Sequence, residues 1–191
     1  MTKASLLWVD LEMTGLDPGV DKIVEVAAIG TDWKLNPVCE FTATVKVDED
    51  FMKERMVGEF WEKNSESRDA MISANAEGEA SEDVEQRLLA WIDQNFVKQS
   101  IDDSKGKGKI ILAGNSIHQD RRFIAREWRN LEKRLHYRML DVSAWKVYFE
   151  GAMKKRFVKP EMHRALDDIQ GSIDELKWYL SKVEGSEFWK N

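Results

Sequence analysis

Asp10 and Glu12 stand two residues apart at the end of a short apolar run, Ser5–Leu11 (SLLWVDL). Strand positions i and i+2 share a face, so a strand here projects both carboxylates together. Burying like charges side by side is costly unless a cation neutralises them. Hard divalent ions such as Mg²⁺ or Mn²⁺ accept an all-oxygen set of this kind. The competing reading is two solvated acids just past the strand, and for an isolated D-x-E that is the commoner case. Asp120 follows a second buried run, Ile110–Ala113, inside GNSIHQDRRF. Alone it is an acid near a helix start, favoured by the macrodipole. Ligand sites in α/β sheets gather at strand ends, so three acids after two strand ends form a pattern.

His163 and Asp168 extend the pattern as H-x-x-x-x-D in MHRALDDI. A helix beginning near Arg164 puts His163 at or just before its start and Asp168 about one turn further in. Asp168 can add a carboxylate, and His163 can take a proton from a water. A lone histidine there is equally an exposed residue at a helix end. Adjacent helical positions point about 100° apart, so only one of Asp167 and Asp168 faces the site. Four acids and a histidine suit metal-assisted phosphodiester hydrolysis, in which two ions ~3.5–4 Å apart stabilise the attacking and leaving oxygens. No serine nucleophile elbow, P-loop or Cys/His zinc spacing is present in the sequence.

Several elements must position these residues. After the first strand, Leu16-Asp17-Pro18-Gly19 signals a turn, and Ile23–Trp33 and Val38–Val47 read as strands. Short links make the first three strands an antiparallel meander. Phe51–Ala76 is helical or looped. Ser81–Val97 has helical spacing, with Ser81 as candidate cap, and Gln99–Lys109 is a polar loop. Gln119–Leu135 repeats helically, Arg138–Leu140 reads as a short strand and Val142–Phe149 as a helix. A basic loop over Gly151–Pro160 precedes a last helix over Arg164–Lys182. Strands first, then strands alternating with helices, predict one mixed α/β sheet with flanking helices.

The 191 residues fit one domain, and eight Trp and eight Phe supply a core without staples. Net charge is −6, without the basic surplus of proteins that grip long nucleic acid by its backbone. Either nucleic acid is not the ligand, or the contact is short and local, with metal ions supplying the positive charge. The single cysteine, Cys39, excludes an intrachain disulfide and points to a reducing compartment. No apolar run approaches transmembrane length, and strand-like residues begin by Ser5, so the expectation is a soluble cytoplasmic protein with no membrane association.

VDLEMTGLD, GNSIHQDRRF and HRALDD resemble, in order, the three motifs of the DEDDh exonucleases, and HYR-x-LDVS at His136–Ser143 brings the resemblance close to the oligoribonuclease family within that group. The similarity runs from Leu6 to Leu180. It implies a ribonuclease H-like fold and one exonuclease domain across residues 1–191. It implies two Mg²⁺ or Mn²⁺ ions held by Asp10, Glu12, Asp120 and Asp168, with His163 as general base. The implied activity is 3′-to-5′ removal of 5′-mononucleotides from single-stranded RNA of about two to seven nucleotides, down to dinucleotides. Leu16 matches a leucine that wedges against terminal bases, and Asn115 and Ser116 match residues close to the substrate. Arg138 and Ser143 match residues that hold the 5′ phosphate. Family members are homodimers, and the tyrosine matching Tyr137 reaches the partner's site.

Each substrate residue has an ordinary alternative: Leu16 as a packed turn residue, Tyr137 as core, Arg138 as a surface charge. The sequence also departs from the family pattern. Trp61 stands for the family tryptophan, but the histidine that follows it is missing, since no histidine lies between residues 13 and 117. His118 occupies a variable motif position. The missing histidine motivates a second reading, a DEDDh exonuclease that prefers DNA or longer RNA ends. Because fold alone does not establish activity, a third is an inactive nucleic-acid-binding homologue.

Overall fold

The computed structural model describes residues 2–97, 109–158 and 165–184. At its centre β1 (Leu6–Met13) pairs antiparallel with β2 (Ile23–Thr31) and parallel with β4 (Ile110–Gly114). β3 (Pro37–Thr44) extends the antiparallel side and β5 (Leu135–Asp141) the parallel side, giving the order β3-β2-β1-β4-β5. The antiparallel meander of the first three strands is present. The mixed five-stranded sheet with flanking helices is the architecture expected of a ribonuclease H-like protein.

Alternation along β1 builds two cores. Leu7, Val9 and Leu11 pack with Val84, Leu88, Ile92, Phe123, Ile124 and Leu131 from α4 (Ser81–Asn95), α5 (His118–Glu127) and α6 (Arg129–Arg134). Leu6 and Trp8 pack on the other face with Val142, Phe149, Ile169, Ile173 and Leu176 from α7 (Val142–Met153) and α8 (Ala165–Glu184). Burying each such side chain contributes roughly 1.5–3 kcal/mol. A one-residue slip of β1 would exchange its two faces and turn Asp10 and Glu12 toward the α4–α6 core, so both cores specify the register. Between β3 and α4 the ambiguous stretch forms α1 (Glu49–Arg55), α2 (Glu59–Lys63) and α3 (Ser65–Ala74). There Met52, Met56, Trp61 and Met71 close over Val24 as a separate small cluster.

The helix expected over Gln119–Leu135 is broken. At Trp128 the backbone leaves helical geometry (φ −115°, ψ 67°), separating α5 from α6. Apolar residues on both sides of the break share one face, so periodicity hides it. The buried indole of Trp128 donates from Nε1 to Ser81 Oγ at 3.0 Å. That occupies the hydroxyl expected to cap α4, whose N-cap is Ala80 with no side-chain bond. α6 is capped from outside, because Glu85 of α4 accepts from the Asn130 N–H at 2.8 Å and the Leu131 N–H at 2.9 Å. The other expectations shift at their edges. β5 begins at Leu135 rather than Arg138, and α7 continues to Met153, into the segment expected as loop from Gly151. The Gln99–Lys109 loop, except Lys109, and residues 159–160 lie outside the described residues.

Glu85→Ala removes the cap of α6 and strands two backbone donors. The expected loss of unfolding free energy is about 2–4 kcal/mol, with Glu85→Gln milder. Urea unfolding of both variants measures it; an unchanged midpoint in the alanine variant would refute the external cap.

Candidate active site

The parallel pairing of β1 with β4 ends at Trp8 opposite Ala113, while β1 continues to Met13. Beyond Trp8, the flank of β1 that faced β4 has lost its neighbouring strand. The first turn of α5 meets it there, and the Leu11 N–H donates to Asp120 Oδ1 at 3.0 Å. Asp120 is thereby buried, at 7% exposure, against the strand that carries Asp10 and Glu12. These two acids continue the alternation of Leu6 and Trp8 onto the face covered by α8. Asp168 lies in the first turn of α8 and is partly buried.

The electrostatics report how close the acids are. Burial, followed by the charges of Glu25, Asp168 and Asp120, pushes the Glu12 carboxyl from 4.5 up to about 7. Burial likewise pushes Asp120 from 3.8 up to about 7, although the Leu11 N–H opposes it. Among the described residues, no three His, Cys, Asp or Glu side chains are already drawn into a closed metal site. The chemistry of the donor set still fits a hard divalent cation: the ligands are oxygen only, and the charges that raise Glu12 are those a cation would neutralise. His163 lies outside the described residues.

Leu16 projects from the loop after β1 and is 72% exposed. The loop is held from within by buried Asp21, which accepts from Thr14 Oγ1 at 3.0 Å, the Asp17 N–H at 2.9 Å and Arg55 Nε at 2.9 Å. Burial opposes ionisation of Asp21, but the bonds from Arg55, Asp17 and Thr14 outweigh it and hold the carboxyl below its ordinary value. A Cβ on Gly15 would lie 2.5 Å from Asp21 Oδ2, so this turn leaves no room for a side chain there. Gln119 Nε2 ties the loop to α5 by donating to the Leu16 carbonyl at 2.7 Å.

Asn115, Ser116 and Ser143 form one cluster. Ser143 Oγ donates to Asn115 Oδ1 at 3.0 Å and accepts the Ser116 N–H at 2.8 Å. The two serine hydroxyls are 3.0 Å apart, with Ser116 exposed at a positive φ of 49°. Buried Ser172 and Glu175 of α8 anchor the cluster, accepting from Asn115 Nδ2 at 3.2 and 3.0 Å. Tyr137 and Arg138 are exposed on edge strand β5, with the guanidinium 5.2 Å from the phenol centroid. Trp61 is 6% exposed among the methionines of the small cluster; its neighbour Phe60 is the exposed ring.

Sequence reasoning missed several residues at this end of the sheet. Glu25 pairs across the ladder with Glu12, and its own carboxyl is raised by burial. An acid inside the apolar IVEVAAI run was a visible signal. Asp141 accepts from the N–H groups of Ser116 at 3.0 Å and Ser143 at 2.9 Å, and lies 3.7 Å from His118 Nδ1. Gln119, Asp21 and Arg55 had no local signal, since their roles depend on tertiary contacts.

The exonuclease family model RNase_T matches residues 7–176. Among curated proteins, the chain is 37% identical over 179 residues to the oligoribonuclease of Nitrosomonas europaea, covering 92% of this chain and 93% of that one. It is 38% identical over 179 residues to the oligoribonuclease of Pseudomonas putida, with the same 92% and 93% coverage. Among solved structures, a moderately thermophilic exonuclease I from Methylocaldum szegediense superposes with a TM-score of 0.65 at 18% identity, covering 96% of this chain and 41% of that one. The zinc-bound E. coli exonuclease I–single-stranded DNA complex gives 0.61 at 13% identity, covering 99% and 42%. The chain thus spans about two fifths of the exonuclease I chains, and that likeness is one of fold.

The raised carboxyls make a pH prediction. Glu12 and Asp120 titrate near 7 in the folded chain, above their ordinary 4.5 and 3.8. The fold therefore holds these protons more tightly than the unfolded chain. The stability they confer is full below about pH 4 and is lost as pH rises through about 7. With chelator present, Glu12→Gln should gain on the wild type across that window, by an amount on the order of 2 kcal/mol. Added Mg²⁺ or Mn²⁺ should restore the wild type above about pH 7 and do little near pH 4. Thermal melts of both proteins across pH measure this, and a pH-independent difference would count against a charge-strained Glu12.

Proposed function

This chain belongs to the exonuclease family, and we propose that it is a metal-dependent 3′-to-5′ exoribonuclease that degrades short single-stranded RNA, down to dinucleotides, to 5′-mononucleotides. The observation that carries this reading is the convergence of Asp120 and Asp168 on Glu12, whose carboxyl their charges raise where β1 outruns β4. Full-length similarity to oligoribonucleases supports the short-RNA substrate.

In this reading Asp10, Glu12, Asp120 and Asp168 hold two Mg²⁺ or Mn²⁺ ions. When bound, the ions supply an activated water and neutralise charge on the scissile phosphate. His163 takes the proton of the attacking water at a ring nitrogen. The Leu11 N–H fixes the orientation of Asp120 through Oδ1. Leu16, exposed on a loop braced by Asp21 and Gln119, wedges against the terminal bases. Asn115 and Ser116 line the substrate path, and Ser143 and Arg138 receive the 5′ phosphate. That terminal contact favours very short RNA, and it needs few basic residues, in keeping with the net charge of −6. Trp61 is the remaining proposed substrate residue, and it lies within the α1–α3 cluster.

The proposed assembly is a homodimer in which Tyr137 reaches the partner's site. Its 60% exposure on edge strand β5 supports that role. No described helix is long and apolar enough to cross a membrane. A cytoplasmic location accompanies the proposal.

The test uses purified protein with Mg²⁺ or Mn²⁺, labelled RNA of about two to seven nucleotides, and matched DNA. Dinucleotides should be cut to 5′-mononucleotides faster than long RNA or DNA. Asp10→Ala should lower kcat at least about a thousandfold, because the carboxylates act as a unit. Slow dinucleotide turnover beside rapid cutting of DNA or long RNA would favour the altered-preference reading, motivated by the missing histidine after Trp61.

A further inference from the structure

β5 does not keep step with β4. Between the pairs Ile110–Leu135 and Leu112–Met139, β4 advances from 110 to 112 while β5 advances from 135 to 139. The surplus falls on His136, Tyr137 and Arg138, which bulge out of the ladder. Bulges beside functional sites re-aim side chains, and they persist only where their freed backbone groups find partners.

Two side chains hold this bulge. His136 is 1% exposed, and its Nδ1 accepts the Arg138 N–H at 3.1 Å. Arg121, from α5, donates through one guanidinium nitrogen to the carbonyls of His136 at 2.8 Å and Tyr137 at 3.2 Å. Its other terminal nitrogen is fixed on Glu132 Oε1 at 2.8 Å. The held bulge presents a stack. The His136 ring lies 4.6 Å from the Tyr137 ring, and the Arg138 guanidinium lies 5.2 Å from that same phenol. Tyr137 and Arg138 face solvent.

Packing alone does not account for a histidine at position 136. Because Nδ1 accepts a hydrogen bond, a neutral ring carries its proton on Nε2. Nε2 is buried and finds no partner among the described residues. An apolar residue would avoid that unfavourable burial. What imidazole adds is the acceptor at Nδ1, and that acceptor serves the Arg138 backbone.

We infer that His136 and Arg121 are positioning residues, which hold the β5 bulge so that Arg138 meets the 5′ phosphate of the substrate and Tyr137 is presented toward the partner's site. The inference rests on the short-RNA reading above. Neither residue touches the reacting atoms. Each acts through the backbone of His136, Tyr137 and Arg138.

Asparagine can place Oδ1 where histidine places Nδ1, so His136→Asn keeps the acceptor and His136→Leu removes it. Two measurements on the full-length protein decide the matter. The first is amide hydrogen exchange at Arg138, which needs no substrate. Protection should be retained in His136→Asn and lost in His136→Leu while neighbouring β4 amides stay protected. The second is steady-state kinetics with a dinucleotide bearing a 5′ phosphate and one lacking it. In His136→Leu, KM for the phosphorylated dinucleotide should rise about tenfold with kcat little changed, the scale of one lost hydrogen bond. The unphosphorylated dinucleotide should be indifferent, and His136→Asn should stay within about threefold of wild type on both, since its acceptor is kept. Arg121→Gln should follow the leucine variant. Unaltered Arg138 protection in His136→Leu, or equal losses on both dinucleotides, would overturn the inference. Failure of the wild type to cleave dinucleotides would instead refute the short-RNA reading, which the exchange measurement does not depend on.

Discussion

Everything in the site follows from β1 being longer than the strand beside it. Within the ladder, a backbone N–H is satisfied by its neighbour, and its strand can remain apolar on both faces. Past Trp8 that neighbour is gone, and the Leu11 N–H takes a carboxylate oxygen of Asp120. The substitution satisfies a buried donor, and it also draws the start of α5 and its acid against β1. α8 closes the other face and brings Asp168 to the same end. Acids from three separate elements therefore meet at a point fixed by backbone hydrogen bonding, in the kind of sheet crevice where ligands collect. Burial first, and neighbouring acids after it, then leave Glu12 and Asp120 near 7, a state that favours either protons or cations.

The regular parts of this arrangement were readable in the sequence. Alternation placed Asp10 and Glu12 on one face, and a two-residue spacing on a strand has only one geometric meaning. Asp120 was readable as a helix-start acid after a buried strand. What escaped was everything set by contacts between elements. The Trp128 break was invisible because the apolar face continues through it, and the cap on the far side comes from Glu85, more than forty residues earlier. Glu25 stood out as an acid in an apolar run, but its pairing with Glu12 had no local sign, because a strand sequence does not name its cross-strand partner. The bulge in β5 had no signal either: the short strand read from the sequence began only at Arg138, and pairing against β4 is what reveals the surplus residues.

The two irregular segments near the site are held in a similar way. The Leu16 loop encloses Asp21, which Arg55 of α1 grips through Nε at 2.9 Å. The β5 bulge rests on Arg121 of α5, itself gripped by Glu132 at 2.8 Å. Irregular backbone leaves carbonyls and N–H groups without ladder partners, and a planar guanidinium with five donors can satisfy several at once. These pairs are partly buried and hydrogen-bonded on more than one side, so solvent screens them less than ordinary surface ion pairs. The clustered acids sit instead on β1, α5 and α8, where register and packing already fix them.

Charge sets the last constraint. A chain of net charge −6 with clustered acids at its site repels polyanions at long range. Cations at the carboxylates would invert the local field over a short distance only, since screening confines it to about 8–10 Å at physiological salt. A ligand a few nucleotides long fits within that radius, whereas each further phosphate of a long strand would lie against an unneutralised surface. Exposed Arg138 adds one positive charge at a fixed place rather than a basic track. On the proposed reading, length selection would need no steric wall: affinity would stop growing once the substrate extended past the cations and that arginine, and the two held segments would set where its ends lie.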